Sequence, residues 1–290
     1  MKKILVATDF SERSDRALRR ATLLARQLKA SLAVVHVIDD DQPRRIVDAE
    51  QKQASTLLRQ LAETLRDVDG LDCETQVILA SPFAGIVKAV VALNPDLLVL
   101  GPHRRQVLKD VFIGTTAERT IRSVACPVLM VNAPPVGSYK HVLQTTDLTD
   151  GSRDALRRFP GLKLGDTAKS SLLYVFDAPA LRLAFGHSIP SDDQKHYLED
   201  EQRHAARDLS RFVSSVGLEG TRQVVRYEEA AAQHEILKAA KTEKADLVVL
   251  STHGKTGVAK LLLGSVTEHV LKSATIDVLA IPPVHDTSEK

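Results

Sequence analysis

The amino-acid sequence contains the same pattern twice. Residues 4–9 (ILVATD) recur as residues 142–147 (VLQTTD), 138 positions further along the chain. Residues 95–103 (PDLLVLGPH) recur as residues 245–253 (ADLVVLSTH), 150 positions further along, so the second copy contains twelve additional residues. A repeat of this length predicts two related units, each large enough in a chain of 290 residues to bury its own core.

A short segment between the copies predicts where one domain ends and the next begins. Residues 133–138 (APPVGS) contain two prolines and a glycine, which end helices and strands alike. We therefore expect a first domain over residues 1–135 and a second over residues 138–290. Within each copy, short apolar runs alternate with helical patterns, which predicts an α/β fold with a parallel sheet and helices on both faces. Ligands of such sheets bind beyond the carboxyl ends of the strands.

Composition excludes several classes of function. The chain has 39 basic and 37 acidic residues, and this near balance predicts neither a nucleic-acid nor a membrane partner. No apolar run approaches the roughly 18 residues of a membrane span, and no secretory signal core fits the N-terminus. Two cysteines, Cys73 and Cys126, do not make a disulfide framework. We expect reduced thiols and a cytoplasmic location.

The strongest local signal is a pair of glycine-containing segments in the second copy. Residues 251–254 (STHG) follow an apolar strand, and residues 264–268 (GSVTE) open a helix. Glycine allows close backbone approach to a ligand, and a helix N-terminus offers unpaired N–H groups to an anion. Ser265 and Glu268 have the spacing of a capping box, and Thr115 and Glu118 repeat it in the first copy. Many helices without a ligand carry such a box.

An acidic residue ends the first strand of each copy. Asp9 and Asp147 occupy this position, where a carboxylate either accepts hydrogen bonds from a base or sugar or caps the next helix. Both interpretations stay open at this point. The sequence offers no nucleophile elbow, no C-x-x-C motif, no pair of carboxylates at catalytic spacing and no metal-ligand motif. No catalytic residue is therefore predicted, and slow hydrolysis of a bound ligand is kept as an alternative to pure binding.

The motifs ATDFS (residues 7–11), VVHVID (residues 34–39) and the glycine segments resemble the universal stress protein family in its tandem form. The resemblance implies five parallel strands per domain in the order 3-2-1-4-5. It implies a stress-response or regulatory protein that binds ATP or AMP, with or without Mg²⁺, although some members bind no nucleotide. Pairing through the fifth strands, residues 127–131 against residues 276–281, and a further homodimer are also implied. The alternative is an interaction module with vestigial pockets, an intramolecular pseudo-dimer.

The family pattern also implies nucleotide-binding residues. In the second copy these are Asp147, Val175, Ser251, His253, Gly254, Gly264, Ser265, Val266 and Thr267. In the first copy they are Asp9, Val37, Gly101, Arg104, Gly114 and Thr115. Arg104 replaces a glycine of the pattern, so it either blocks the phosphate position or holds an anion with its guanidinium. We favour blockage and expect the nucleotide in the second copy. The apolar segment 178–190 either covers that site, binds a partner or packs on its own domain.

Overall fold

A computed structural model describes residues 1–102, 116–183, 191–252 and 263–283. The first half contains β1 (Lys3–Thr8), α1 (Glu12–Leu28), β2 (Ser31–Ile38), α2 (Arg44–Asp69), β3 (Cys73–Leu79), α3 (Pro82–Leu93), β4 (Leu97–Leu100), α4 (Thr116–Ser123) and β5 (Val128–Met130). The second half contains β6 (His141–Thr146), α5 (Asp150–Arg158), β7 (Lys169–Phe176), α6 (Pro179–Leu183), α7 (Ser191–Val216), β8 (Arg222–Tyr227), α8 (Ala232–Thr242), β9 (Leu247–Ser251), α9 (Ser265–Ser273) and β10 (Asp277–Ile281). A short 3₁₀ helix, Phe159–Leu162, follows α5.

The strands form one sheet in the order β3-β2-β1-β4-β5-β10-β9-β6-β7-β8. Within each half the strands are parallel and follow the order 3-2-1-4-5, so the predicted fold class is confirmed. The halves meet where β5 and β10 run antiparallel, with Val278 opposite Met130 and Ala280 opposite Val128. This pairing leaves neither fifth strand as an open sheet edge.

Apolar side chains cover both faces of the central strands. Ile4 and Leu5 are neighbours in β1 that point to opposite faces of the sheet, and each belongs to a different buried cluster. Both clusters continue into the second half, where Val142 and Leu143 divide between them in the same way. Burial on both faces explains why these parallel strands have continuous apolar sequences instead of alternating ones.

Helices α1 and α5 begin in the same way. The hydroxyl of Ser11 accepts a hydrogen bond from the amide of Ser14, and Thr149 accepts one from Ser152. Such caps satisfy an amide that the helix itself leaves without an acceptor. The equivalent starts place these two helices alike against the first strand of each half.

Three further sequence expectations concern the described ranges. Ala178 is fully buried and α6 follows it, whereas residues 184–190 of the apolar segment lie outside the described residues. Across the described ranges, none of the helices combines the length and the apolar character needed to cross a lipid bilayer. Cys73 and Cys126 are both free cysteines.

Candidate functional site

A cavity of about 310 Å³ opens at the carboxyl ends of β6, β7 and β9 in the second half. Six residues of the predicted set line it: Asp147, Val175, Ser251, Ser265, Val266 and Thr267. Gly264 directly precedes Ser265 as the cap residue of α9. His253 and Gly254 lie outside the described residues. The sequence signals therefore converge on one space, at the sheet edge where α/β proteins bind their ligands. Their role as ligand-binding residues stays a prediction.

Asp147 connects this cavity to the start of α5. One carboxylate oxygen, Oδ1, accepts the amide of Thr149 at 3.1 Å and its hydroxyl at 2.5 Å. Thr149 is itself the cap of α5, so Asp147 fixes the capping residue and does not cap the helix directly. Within the described residues no hydrogen bond is assigned to the other oxygen, Oδ2. Asp147 can thus hold the turn and still offer an acceptor to the cavity.

The N-terminus of α9 points its first amides at the same cavity. The cap residue Gly264 has no side chain to accept a hydrogen bond, so α9 lacks the side-chain cap seen in α1 and α5. The first amides of a helix have no acceptor within the helix, and the helix dipole makes this end electropositive. The hydroxyl of Thr267 donates to the Ser251 carbonyl at 2.8 Å and ties α9 to the end of β9. This arrangement suits an anion.

The predicted capping box of α9 is wrong. Ser265 is the first helical residue instead of the cap, and Glu268 does not reach back to the helix start. Its carboxylate instead pairs with Lys272 at 2.7 Å and with Arg122 of the first half at 3.1 Å. The hydrogen bond from Lys272 lowers the pKa of Glu268 despite the opposing effect of burial. Two cations outcompete the neutral amides that a capping box would offer.

The cavity also contains residues that the sequence analysis missed. Leu173, Ile236 and Leu250 give it apolar walls, and Glu228 adds a second carboxylate. Glu228 Oε1 accepts the amide of Ala232 at 3.2 Å, at the start of α8. The position of Glu228 directly after β8 was the available signal, because the ends of all parallel strands meet at one edge.

In the first half, Asp9 holds the turn before α1 as Asp147 holds the turn before α5. Asp9 is exposed and accepts the amide and the hydroxyl of Ser11 at 3.0 and 2.5 Å. The part of Asp9 that is buried opposes its ionisation, but the hydrogen bonds of Ser11 and Ser14 and the charge of Arg13 outweigh that effect and lower the pKa of Asp9. A Cβ on Gly101 would lie 2.7 Å from the carbonyl oxygen of Arg13, so β4 ends tightly against α1.

Val37, the other described residue of the first-half set, lies against α3, where a Cβ on Gly85 would overlap the Val37 side chain. Arg104, Gly114 and Thr115 lie outside the described residues. Among described side chains, one cluster brings three potential metal ligands within reach of one another, and it consists of Asp39, Asp40 and Asp41 after β2. It belongs to the first half and not to the cavity described above.

Comparison with known proteins gives a consistent result. A model of the universal stress protein family matches residues 1–132 and again residues 138–282. Universal stress protein E of Photorhabdus laumondii is 22% identical over 97% of this chain and 94% of its own length. Universal stress protein MJ0577 of Methanocaldococcus jannaschii is 26% identical over 49% of this chain and 94% of its own length. The crystal structure of a universal stress protein from Archaeoglobus fulgidus superposes with a TM-score of 0.69 at 18% identity, covering 97% of this chain and 98% of its own.

Proposed function

Since the chain belongs to the universal stress protein family in its tandem form, we propose that it binds an adenine nucleotide, ATP or AMP, in the cavity of the second half. One observation carries the proposal: a strand-end carboxylate and an uncapped helix N-terminus face one cavity. The first suits the hydroxyl or amine donors of a nucleoside, and the second suits phosphate. A stress-response or regulatory role in the cytoplasm is part of the same proposal.

The cavity walls suggest how a nucleotide would lie. Val175 and Ile236 supply apolar surface for the base, and Asp147 Oδ2 would accept a hydrogen bond from base or ribose. The phosphates would then reach the amides of Ser265 to Thr267. The described lining contains two carboxylates, Asp147 and Glu228, and no histidine or cysteine. This composition favours binding over rapid hydrolysis, and any Mg²⁺ would be held mainly through the phosphates.

We also propose that the two halves pair through β5 and β10 in solution. The antiparallel contact buries Val128 and Val278 completely, together with the edges that carry them. A second candidate function, an interaction module without nucleotide, is favoured by Arg104, which stands where the family pattern has a glycine. Nucleotide titration of the full chain separates the two functions.

A charge placed at the start of α9 gives the sharpest test. Ser265 is exposed at the first helical position, where Asp is favourable to the helix dipole, so Ser265→Asp is expected to fold normally. The new carboxylate would repel phosphate. We therefore expect the dissociation constant of the Ser265→Asp variant for ATP to rise by about tenfold or more. Asparagine has nearly the same shape as aspartate but no charge. Ser265→Asn is therefore expected to bind ATP with nearly the affinity of the parent chain. Isothermal titration with ATP and AMP, with and without Mg²⁺, measures both.

Asp147→Asn tests the other end of the cavity. The amide keeps an oxygen for Thr149 but loses the carboxylate charge, so a rise of about tenfold in dissociation constant is expected. Asp9→Asn is the matched change in the first half and is expected to leave the affinity unchanged. Equal binding by Ser265→Asp and the parent chain, or a greater loss in Asp9→Asn than in Asp147→Asn, contradicts this placement. Absence of any nucleotide binding by the parent chain favours the interaction module.

A further inference from the structure

A second cavity lies at the opposite edge of the sheet, beside the amino ends of β4 and β5. Its volume is about 510 Å³, within the usual range for small-molecule sites. Val87, Val90 and Val91 of α3 form one wall, and Leu162 of the 3₁₀ helix contributes to the other. Val91 is 77% exposed, so apolar surface continues to the rim. We call this space the Arg158 groove, after the arginine in its lining.

The repeat shows that Arg158 lacks a partner which its equivalent possesses. Arg20 and Arg158 are 138 positions apart, on the helices that follow the first strand of each half. Arg20 Nε donates to Asp277 Oδ2 at 3.1 Å, and both side chains are buried. Asp277 is equivalent to Pro127, 150 positions earlier, and Pro127 lines the Arg158 groove. The carboxylate that neutralises Arg20 is therefore replaced by a proline opposite Arg158.

The remaining contacts of Arg158 do not neutralise its charge. Its guanidinium donates to the carbonyl oxygens of Pro282 and, at 3.5 Å, of Ala125. Within the described ranges it forms no ion pair at 4.0 Å or less, although the charge of Asp154 acts on it from a greater distance. Arg158 is half-buried, and this partial loss of hydration lowers its pKa. A carboxylate entering the groove would supply what Asp277 supplies to Arg20.

The position equivalent to Tyr139 explains why the groove has room. The ring of Tyr139 lies 4.3 Å under the Arg20 guanidinium and helps to fill that site. Its equivalent, 138 positions earlier, is Met1, which lines the Arg158 groove. An unbranched, flexible side chain thus replaces a rigid aromatic ring. The groove's own carboxylate, Asp96, accepts the amides of Lys2 and Lys3.

We propose that the Arg158 groove binds a small apolar monocarboxylate, whose anionic group pairs with Arg158 and whose hydrocarbon part lies along α3. The geometry of guanidinium and carboxylate permits two parallel hydrogen bonds, so a carboxylate is a good match for an arginine. The apolar walls and the carboxylate of Asp96 disfavour a highly charged ligand such as a nucleoside triphosphate. This site is separate from the proposed nucleotide cavity, which lies at the other ends of the strands.

Phenylacetate and phenethyl alcohol provide a matched pair of probes for the full chain. They have nearly the same size, but the alcohol carries no charge. We expect ligand-detected NMR to show phenylacetate binding at millimolar concentration and at least about tenfold weaker binding of the alcohol. Arg158→Met is expected to weaken phenylacetate binding by about tenfold or more. Arg157→Met removes the neighbouring exposed arginine and is expected to change nothing.

Gly161→Phe tests the groove without touching the arginine. Gly161 lines the groove, and a Cβ there would meet nothing within 4 Å, so a larger side chain can enter this space without a backbone clash. We expect the phenylalanine ring to occupy the groove and abolish phenylacetate binding while the melting temperature stays close to that of the parent. This variant keeps the proposal testable even if Arg158→Met fails to fold.

Cys126 serves as an independent reporter, because it lines the groove while Cys73 does not. Burial raises the pKa of Cys126 to about 11, so alkylation is best followed at alkaline pH. Phenylacetate is expected to slow alkylation of Cys126 and to leave that of Cys73 unchanged. The proposal is overturned if the alcohol binds as tightly as the acid, if Arg158→Met and Gly161→Phe both retain binding, or if Cys126 is not protected.

Discussion

Replacing Asp277 with asparagine is expected to destabilise the protein by about 3–5 kcal/mol, the usual cost of breaking a buried ion pair from one side. Asp277 is fully buried at the start of β10. Its Oδ2 accepts Arg20 Nε at 3.1 Å and the Tyr139 hydroxyl at 2.7 Å, and its Oδ1 accepts the amides of Asn132 and Ala133. Asparagine would present an N–H group where the carboxylate now accepts, and Arg20 would lose its counter-charge.

These contacts join the two halves of the chain. Arg20 belongs to α1 of the first half and also donates to the carbonyl of Gly137 in the linker. Burial, followed by the Asp277 charge, raises the pKa of Tyr139 well above its ordinary value, so the phenol keeps the proton that it donates. Loss of the Asp277 charge therefore weakens the contact between β10, the linker and α1 together.

Denaturant titration followed by circular dichroism measures the effect, and two controls define it. Asp48→Asn disrupts the exposed pair of Arg44 and Asp48, separated by 4.0 Å, and is expected to cost less than about 1 kcal/mol. The double change Arg20→Met with Asp277→Asn removes the buried cation as well and is expected to recover part of the loss. A free energy of unfolding for Asp277→Asn within about 1 kcal/mol of the parent value would refute a stabilising role for the buried pair of Arg20 and Asp277.

Gly101→Ala is expected to destabilise the protein by about 1–3 kcal/mol, as overpacking of a close contact does. The added Cβ would lie 2.7 Å from the Arg13 carbonyl oxygen and 3.1 Å from the Ser14 amide nitrogen. Both atoms are backbone of the first turn of α1. That turn is held by the Ser11 cap and by the hydrogen bond between Ser14 and Thr8, at 3.0 Å, so it cannot move aside without cost.

Gly161→Ala is the matched control for this prediction. Its Cβ would meet nothing within 4 Å, and its φ is not in the left-handed region. We expect a change between neutral and a gain of about 1 kcal/mol, from the lower entropy of the unfolded chain. Thermal denaturation compares the two variants directly. Equal melting temperatures for Gly101→Ala and Gly161→Ala would show that β4 and α1 are not packed as closely as the structure places them.

The repeat alone was sufficient to predict much of the fold. The apolar runs at the start of each copy and the alternation with helical patterns specify buried parallel strands. Strand order came from the family resemblance, because periodicity in a single sequence does not say which strands are neighbours. The carboxyl-end position of Asp147, Ser251 and Ser265 was also predictable, since every parallel strand ends at the same edge of its sheet.

Long-range partners were not predictable. The spacing of Ser265 and Glu268 suggested a local capping box, but Glu268 pairs with Arg122, 146 positions away in the sequence. Likewise, nothing near Asp277 in the sequence indicates Arg20, which is 257 positions away. Local spacing specifies only contacts within a turn or two of helix, whereas these pairs depend on how the two halves meet.

The sequence by itself determined that the chain consists of two related α/β units and that Asp9 and Asp147 lie at the carboxyl ends of their strands. These properties follow from apolar periodicity and from the chemistry of strand ends, both of which are local. Only the tertiary structure decided that Arg20 is neutralised and that Arg158, its equivalent, is not. That difference arises because the antiparallel contact of β5 and β10 sets Asp277 against one arginine and Pro127 beside the other.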